Sequence, residues 1–119
     1  MNSTEIIKYL TNAAENKQIL SAEDYLRAAR SLVLFLGDEK DKLIELESKV
    51  SKMKLNLKQT TQEKVTSINL IVEASDEYKE AKKQRAKVEQ IIDFVRLAKS
   101  YARLAEEEMR HQNMVGLGN

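Results

Sequence analysis

Residues 38–57, DEKDKLIELESKVSKMKLNL, contain the clearest structural pattern in the sequence. Five apolar residues in this stretch are spaced by three, four, three and four positions: Leu43, Leu46, Val50, Met53 and Leu57. This spacing is typical of the apolar seam of a coiled coil, because an α-helix completes a turn in about 3.6 residues. No Gly or Pro follows Gly37 until Gly116, so little in the sequence interrupts a helix. We therefore expect a helix over residues 39–57.

The composition of the whole chain favours the same class of protein. Of its 119 residues, 33% are charged and 5% aromatic, and there is no Pro, Cys or Trp. Because tight turns depend on Gly and Pro, sandwiches, barrels and Rossmann-type folds are disfavoured. The lack of Cys excludes disulfides and thiolate metal sites and fits a reducing compartment. No apolar run reaches the roughly 20 residues of a membrane span, so we expect a cytoplasmic protein without membrane contact.

Start and end signals divide the chain into four predicted helices. Asn2 and Glu5 form the N-x-x-E pattern of a capping box, and Ser21 precedes two acidic residues as a second helix start. Gly37 falls where a left-handed helix cap is expected. We predict a single domain over residues 1–119, with helices at about 3–15, 22–36, 39–57 and 61–111 and a tail at 112–119.

Two arrangements remain open for the polar segment 58–64. Thr60 and Glu63 have the spacing of another capping box, which favours a turn and a fresh helix. Without a break, one helix would run from residue 38 to residue 115. We expect the turn, and hence an all-α protein in which two short N-terminal helices pack on a long antiparallel helical hairpin, a coiled-coil-like bundle.

The fourth predicted helix is too long for the first three to cover. At 1.5 Å per residue, residues 61–111 would extend for about 75 Å. Its C-terminal half carries an apolar seam, with one aromatic residue just off it, that we expect to bind another copy of the chain or another protein. The predicted partner or oligomer seam is Ile91, Phe94, Val95, Ala98, Ala102, Ala105 and Met109.

Basic residues on the same helix leave alternative functions open. At helical spacing they form a stripe that can follow a phosphate backbone. The alternatives are a nucleic-acid-binding protein, an oligomer that sequesters a small anionic ligand such as a nucleotide between its helices, and a purely structural spacer. The candidate anion or nucleic-acid contacts are Lys82, Arg85, Arg96, Lys99 and Arg103.

No motif of an enzyme occurs in the sequence. The only histidine is His111, and the carboxylates at 106–108 form an acidic run of the kind that usually faces solvent. Glycine-rich phosphate-binding loops and metalloprotease or nucleophile motifs are missing. We therefore predict a non-enzymatic protein with no catalytic residues, no metal and no cofactor.

Two stretches resemble small all-helical proteins encoded by bacteriophages and prophages. Residues 74–79, ASDEYK, resemble an SxEY turn, and residues 90–99, QIIDFVRLAK, resemble the family's hxxFhRLAKK close. Ser100 stands where that pattern has its second lysine, and the similarity covers about half of the chain. The resemblance implies a phage origin, which would place the protein in the host cytoplasm, acting on a host protein and without catalytic residues.

Overall fold

The structure is a computed structural model that describes the backbone of residues 1–117 and the side chains of residues 1–112. It contains four helices: α1 (Ser3–Glu15), α2 (Ala22–Thr60), α3 (Val65–Glu73) and α4 (Asp76–Leu117). No strand occurs within the residues so described. The all-α prediction is therefore confirmed.

The first two helix starts form as the sequence predicts. The side-chain oxygen of Asn2 accepts a hydrogen bond from the backbone N–H of Glu5 at 2.9 Å. The Ser21 hydroxyl accepts from the Asp24 N–H at 3.1 Å, and the Asp24 carboxylate accepts in return from the Ser21 N–H at 3.4 Å. Both caps satisfy N–H groups that the first turn of a helix leaves without a partner.

The predicted end of a helix at Gly37 is wrong. Residues 22–36 and 39–57 belong to one helix, and Gly37 does not have a positive φ. A single Gly inside a helix costs only about 1 kcal/mol. With no Pro nearby and long runs of good helix formers on either side, that cost does not end α2.

The predicted helix 61–111 is instead two helices. Residues 61–64 separate α2 from α3, so a turn lies within the segment 58–64, but the new helix starts at Val65. The hydroxyl of Thr60, the predicted cap, donates to the Asn56 carbonyl at 2.8 Å, and the Thr61 hydroxyl donates to the Leu57 carbonyl at 2.8 Å. Both hydroxyls bond back to the end of α2, so neither caps a new helix.

A second break, at residues 74–75, separates α3 from α4. The Ser75 hydroxyl accepts from the Tyr78 N–H at 3.3 Å and thereby caps α4. At its other end α4 continues to Leu117, so the predicted tail is helical up to that residue. Gly118 and Asn119 lie outside the described residues.

The chain divides into two compact units. We call residues 1–36 and 90–119 the terminal unit, and residues 37–89 the middle unit. The single domain expected from the sequence stays a prediction. In the terminal unit, Leu32 of α2 and Ile91 of α4 are completely buried. The core around them is apolar: Ile6, Leu10, Ala13, Leu20, Ala28, Ala29, Val95 and Ala98.

The middle unit has a smaller apolar core. Its buried apolar side chains are Ile68, Val72, Ala81 and Val88. The five residues of the predicted seam on α2, Leu43, Leu46, Val50, Met53 and Leu57, are all half-buried. The spacing in residues 38–57 therefore identified the less exposed face of this helix.

Candidate functional site

An apolar groove with a volume of about 530 Å³ lies in the terminal unit. One wall comes from α1 and the connection to α2, and the other from the C-terminal half of α4. The apolar lining is Leu10, Ala13, Ala14, Ile19, Leu20, Tyr25, Phe94, Leu97, Ala98, Tyr101, Leu104 and Ala105. Lys17 and Glu108 contribute opposite charges to the same lining. The lining is therefore mostly apolar, with one cation and one anion among its polar residues.

The connection between α1 and α2 is fixed by hydrogen bonds at the end of α1. The Gln18 N–H donates to the Ala13 carbonyl at 2.8 Å, and the Lys17 N–H donates to the Ala14 carbonyl at 3.2 Å. This is the Schellman motif, whose left-handed position is usually Gly. Here Lys17 occupies it with a φ of 52°. The chain leaves this turn with Ile19 92% exposed beside the groove.

Within the terminal unit, α4 has two apolar faces. The inner face packs on α1 and α2 and is buried: Ile91, Val95, Ala98 and Ala102. The outer face lines the groove. Phe94 is half-buried there, and Leu97, Tyr101 and Leu104 are 42%, 39% and 53% exposed. The outer face is spaced by three, four and three residues, which is again the spacing of a helix–helix seam.

The predicted partner seam is therefore corrected. Of its residues, Ile91, Val95, Ala98 and Ala102 are buried within the chain itself. The first two helices supply enough apolar surface to cover this face, which the sequence argument had assigned to a partner. Phe94 and Ala105 do line the groove, whereas Met109 is exposed outside it.

Tyr25 and Tyr101 pair across the groove. Their ring centroids lie 5.5 Å apart with the planes tilted by 36°. Burial raises the pKa of Tyr25, and the nearby Tyr101 raises it further. Tyr25 therefore stays neutral at physiological pH and presents an aromatic ring to Tyr101, which holds Tyr101 in place on the outer face.

The predicted cationic contacts fall into the two units. Arg96, Lys99 and Arg103 are exposed in the terminal unit. Within the part of the chain that the structure describes, they form no ion pair. Lys82 and Arg85 are exposed in the middle unit.

Arg85 is paired with Glu47. A pocket of about 490 Å³ in the middle unit is lined by Lys82 and Arg85 but also by Glu47 and Glu89. Because the formal charges of these four side chains cancel, the pocket does not favour an anion over a neutral ligand.

A buried carboxylate in the middle unit has no counterpart among the predicted sites. Glu39 is only 6% exposed, and the Gln84 amide donates to its carboxylate at 2.6 Å and to its carbonyl at 2.9 Å. The ammonium groups of Lys87 and Lys42 lie 3.2 Å and 3.4 Å from the carboxylate. Burial raises the pKa of Glu39, but hydrogen bonds from Gln84, Lys87 and Lys42 outweigh it and leave the pKa lowered.

Sequence reasoning missed most of the groove. Leu97 and Leu104 carried a signal, because with Phe94 and Tyr101 they form a second stripe at helical spacing. Ile19 carried none, since its exposure depends on the turn at Lys17. Glu39 carried none either, because its burial depends on contacts with Gln84, 45 residues away.

Comparison with protein families, curated proteins and solved structures finds no match to this sequence. Among the residues that the structure describes, no cluster of three or more His, Asp or Glu is placed to hold a metal ion. No helix in the described chain is long and apolar enough to cross a membrane.

Proposed function

We propose that the chain is a non-enzymatic protein-binding protein, and that the groove of the terminal unit receives a helix of the partner. The observation that carries this proposal is the outer face of α4, where Leu97, Tyr101 and Leu104 remain exposed beside a preformed groove. Contiguous apolar surface of this kind is costly to leave in water, and on soluble proteins it usually marks an interaction site.

The shape of the groove supports a helical partner. Residues spaced by three and four on α4 form a ridge that packs into the groove between the ridges of another helix. Apolar side chains at the same spacing on a partner helix would fill the groove from above. Lys17 and Glu108, which also line the groove, can pair with charged residues on such a helix.

The arrangement of the long helices belongs to the same proposal. Within the middle unit, Gln84 donates to Glu39 and Arg85 pairs with Glu47, so α4 contacts α2 through residues far apart in sequence. These contacts support the antiparallel hairpin that the sequence predicts. A hairpin of two long helices presents extended surfaces, which suits a protein that acts by contact.

Site-specific photo-crosslinking in bacterial cells tests the proposed function. A photoreactive phenylalanine analogue at Leu97 should yield adducts with a protein, because this residue lines the groove. The matched control carries the same analogue at Arg103, which is exposed on the same helix but outside the groove. Adducts from Leu97 alone support the proposal whatever the partner is. No adduct from Leu97, or equal labelling from both positions, would refute it.

A second candidate function, nucleic-acid binding, rests on one observation. Arg96, Lys99 and Arg103 are exposed on α4 and, over the described residues, without an ion pair. A plot of the logarithm of the binding constant against the logarithm of the salt concentration has a negative slope. Each phosphate neutralised by a cation increases the magnitude of this slope by about 0.9.

Binding to a short labelled DNA duplex across a salt series tests this candidate. Lys99→Glu with Arg103→Glu should reduce the salt slope by about two, while the neighbouring Ser100→Ala leaves it unchanged. Binding that is absent, or that does not change with salt, removes nucleic-acid contact from consideration.

A further inference from the structure

We infer that the partner in the groove is a second copy of this chain, which places its own α4 antiparallel to the first. This inference rests on the proposed function, because it names the occupant of the same groove. A two-fold axis near Tyr101 would relate the two copies, so each groove receives the outer face of the other copy's α4.

The spacing of the outer face fits such an axis. Leu97 lies four residues before Tyr101, and Leu104 lies three residues after it. An antiparallel copy centred near Tyr101 therefore brings Leu97 of one chain to within about one residue of the level of Leu104 of the other, and the two tyrosines near each other. All three side chains are exposed and available in the single chain.

The charges beside this face favour the antiparallel direction. Cations precede Tyr101 at Arg96 and follow it at Arg103, and anions occupy positions 106–108. Arg96 and Glu107 are eleven residues apart, which is about three turns, so they lie on the same side of α4. Arg96 stands five residues before Tyr101 and Glu107 six residues after it. An antiparallel copy therefore brings Arg96 of each chain near Glu107 of the other, which gives two equivalent ion pairs. A parallel copy would instead leave Arg96 of one chain and Glu107 of the other about three turns apart, so this pair could not form.

The lining of the groove also contains charges of both signs. Lys17 and Glu108 both belong to it, so each copy would present a cation and an anion to the other. The formal net charge of +1 adds little repulsion between two copies.

Single-cysteine variants test the inference sharply, because the chain has no Cys of its own. Tyr101→Cys should give a disulfide-linked dimer under mild oxidation, since only residues near the two-fold axis meet their own copy. Arg103→Cys, exposed on the same helix but outside the groove, is the matched control and should stay largely monomeric on a non-reducing gel. Equal linkage from both positions would overturn the antiparallel register.

A charge swap provides the second measurement. Arg96→Glu alone and Glu107→Arg alone should each weaken self-association about tenfold in analytical ultracentrifugation, and the double variant should restore it. The helical circular dichroism of all three variants should match the unchanged protein, because both residues are exposed. Restoration by the double variant is not expected from a parallel arrangement or from a general loss of folding.

The outcomes separate this inference from the proposed function. A protein that is monomeric in solution, but whose Leu97 photo-adduct contains a foreign protein, overturns the second copy and keeps the protein-binding function. A monomer without any groove adduct overturns both. A dimer that is unaffected by the charge variants and is not linked through Tyr101→Cys uses another surface, and it also overturns this inference.

Discussion

The two units of the chain are stabilised in different ways. The terminal unit has an apolar core with Leu32 and Ile91 completely buried, whereas the middle unit places the carboxylate of Glu39 among three polar partners. Apolar packing tolerates changes of pH and salt, while a buried carboxylate depends on its ionisation and on each of its partners. One helix, α2, therefore contributes to two kinds of core along its length.

The largest effect is expected in the apolar core. Leu32→Ala removes a completely buried side chain of the terminal unit and should lower the free energy of unfolding by about 2–5 kcal/mol. Leu34→Ala, two residues away and 78% exposed, is the matched control and should change it by less than about 0.5 kcal/mol. Denaturant unfolding of both variants measures the difference. Similar losses from the two would show that the terminal unit has no specific core.

The polar cluster of the middle unit gives the next largest effect. Glu39→Gln should lower the free energy of unfolding at neutral pH by about 1–3 kcal/mol, because Lys42 and Lys87 lose their buried counter-charge. Glu47→Gln is the control, since the Glu47–Arg85 pair is largely exposed and should contribute at most about 1 kcal/mol. A loss for Glu47→Gln as large as for Glu39→Gln would contradict the role of burial.

The same carboxylate predicts a dependence on pH. The folded-state pKa of Glu39 lies below its ordinary value of 4.5. Its ionised form therefore stabilises the fold fully above about pH 4.5, and this contribution is lost as the pH falls through the lowered pKa. The melting temperatures of the unchanged protein and Glu39→Gln should converge as the pH is lowered from 6 to about 3. A constant gap would show that ionisation of Glu39 does not stabilise the middle unit.

A substitution at Gly37, the first residue of the middle unit, is expected to stabilise the protein. Gly37→Ala should raise the free energy of unfolding by about 0.5–1 kcal/mol, because Ala restricts the unfolded chain and fits a helix. Apart from the adjacent residues and the backbone of α2 itself, no atom lies within 4 Å of the position that its Cβ would occupy. Thermal unfolding measures the gain, and a lower melting temperature would mean that α2 does not continue through this residue.

The smallest effect is expected at the turn beside the groove. Lys17→Gly removes the cost of a left-handed backbone but makes the unfolded chain more flexible, leaving a gain of about 0.5 kcal/mol. Lys17→Ala, which shortens the side chain and keeps the backbone cost, should bring no gain. If both variants behave alike in denaturant unfolding, the Lys17 side chain and not its backbone sets the stability of this turn.

The sequence predicts features that depend on neighbouring residues, such as helix caps, but not features that depend on contacts between residues far apart in the chain. The caps at Asn2 and Ser21 and the less exposed face of α2 follow from spacing and from residue type within one or two turns. The continuation of α2 through Gly37 and the break before α4 at Ser75 were not predicted. At each position a local start or end signal competes with the helix propensity of the flanking residues, and the sequence does not show which of the two is stronger. The burial of Glu39 could not be predicted, because it needs Gln84 and Lys87 from another helix.

The candidate site shows the same limit more clearly. Spacing revealed that α4 is apolar in its C-terminal half, and Phe94 was correctly placed off the main seam. Which of two neighbouring apolar stripes faces inward depends on the rotation of α4 against α1 and α2. That rotation is set by packing in three dimensions, so the stripe with more small residues, Ala98 and Ala102, was assigned to a partner although it faces the chain's own core.

The terminal unit is built from two pieces of chain that the middle unit separates, so its N-terminal piece is synthesised well before its C-terminal piece. A ribosome releases residues 37–89 before Ile91 and Ala98 leave its exit tunnel. The nascent middle unit can acquire its structure first, while Ile6, Leu10 and Leu32 wait for the helix that completes their core. During that interval the newly made N-terminal segment exposes apolar side chains that are buried in the finished fold, and transiently exposed apolar surface promotes aggregation.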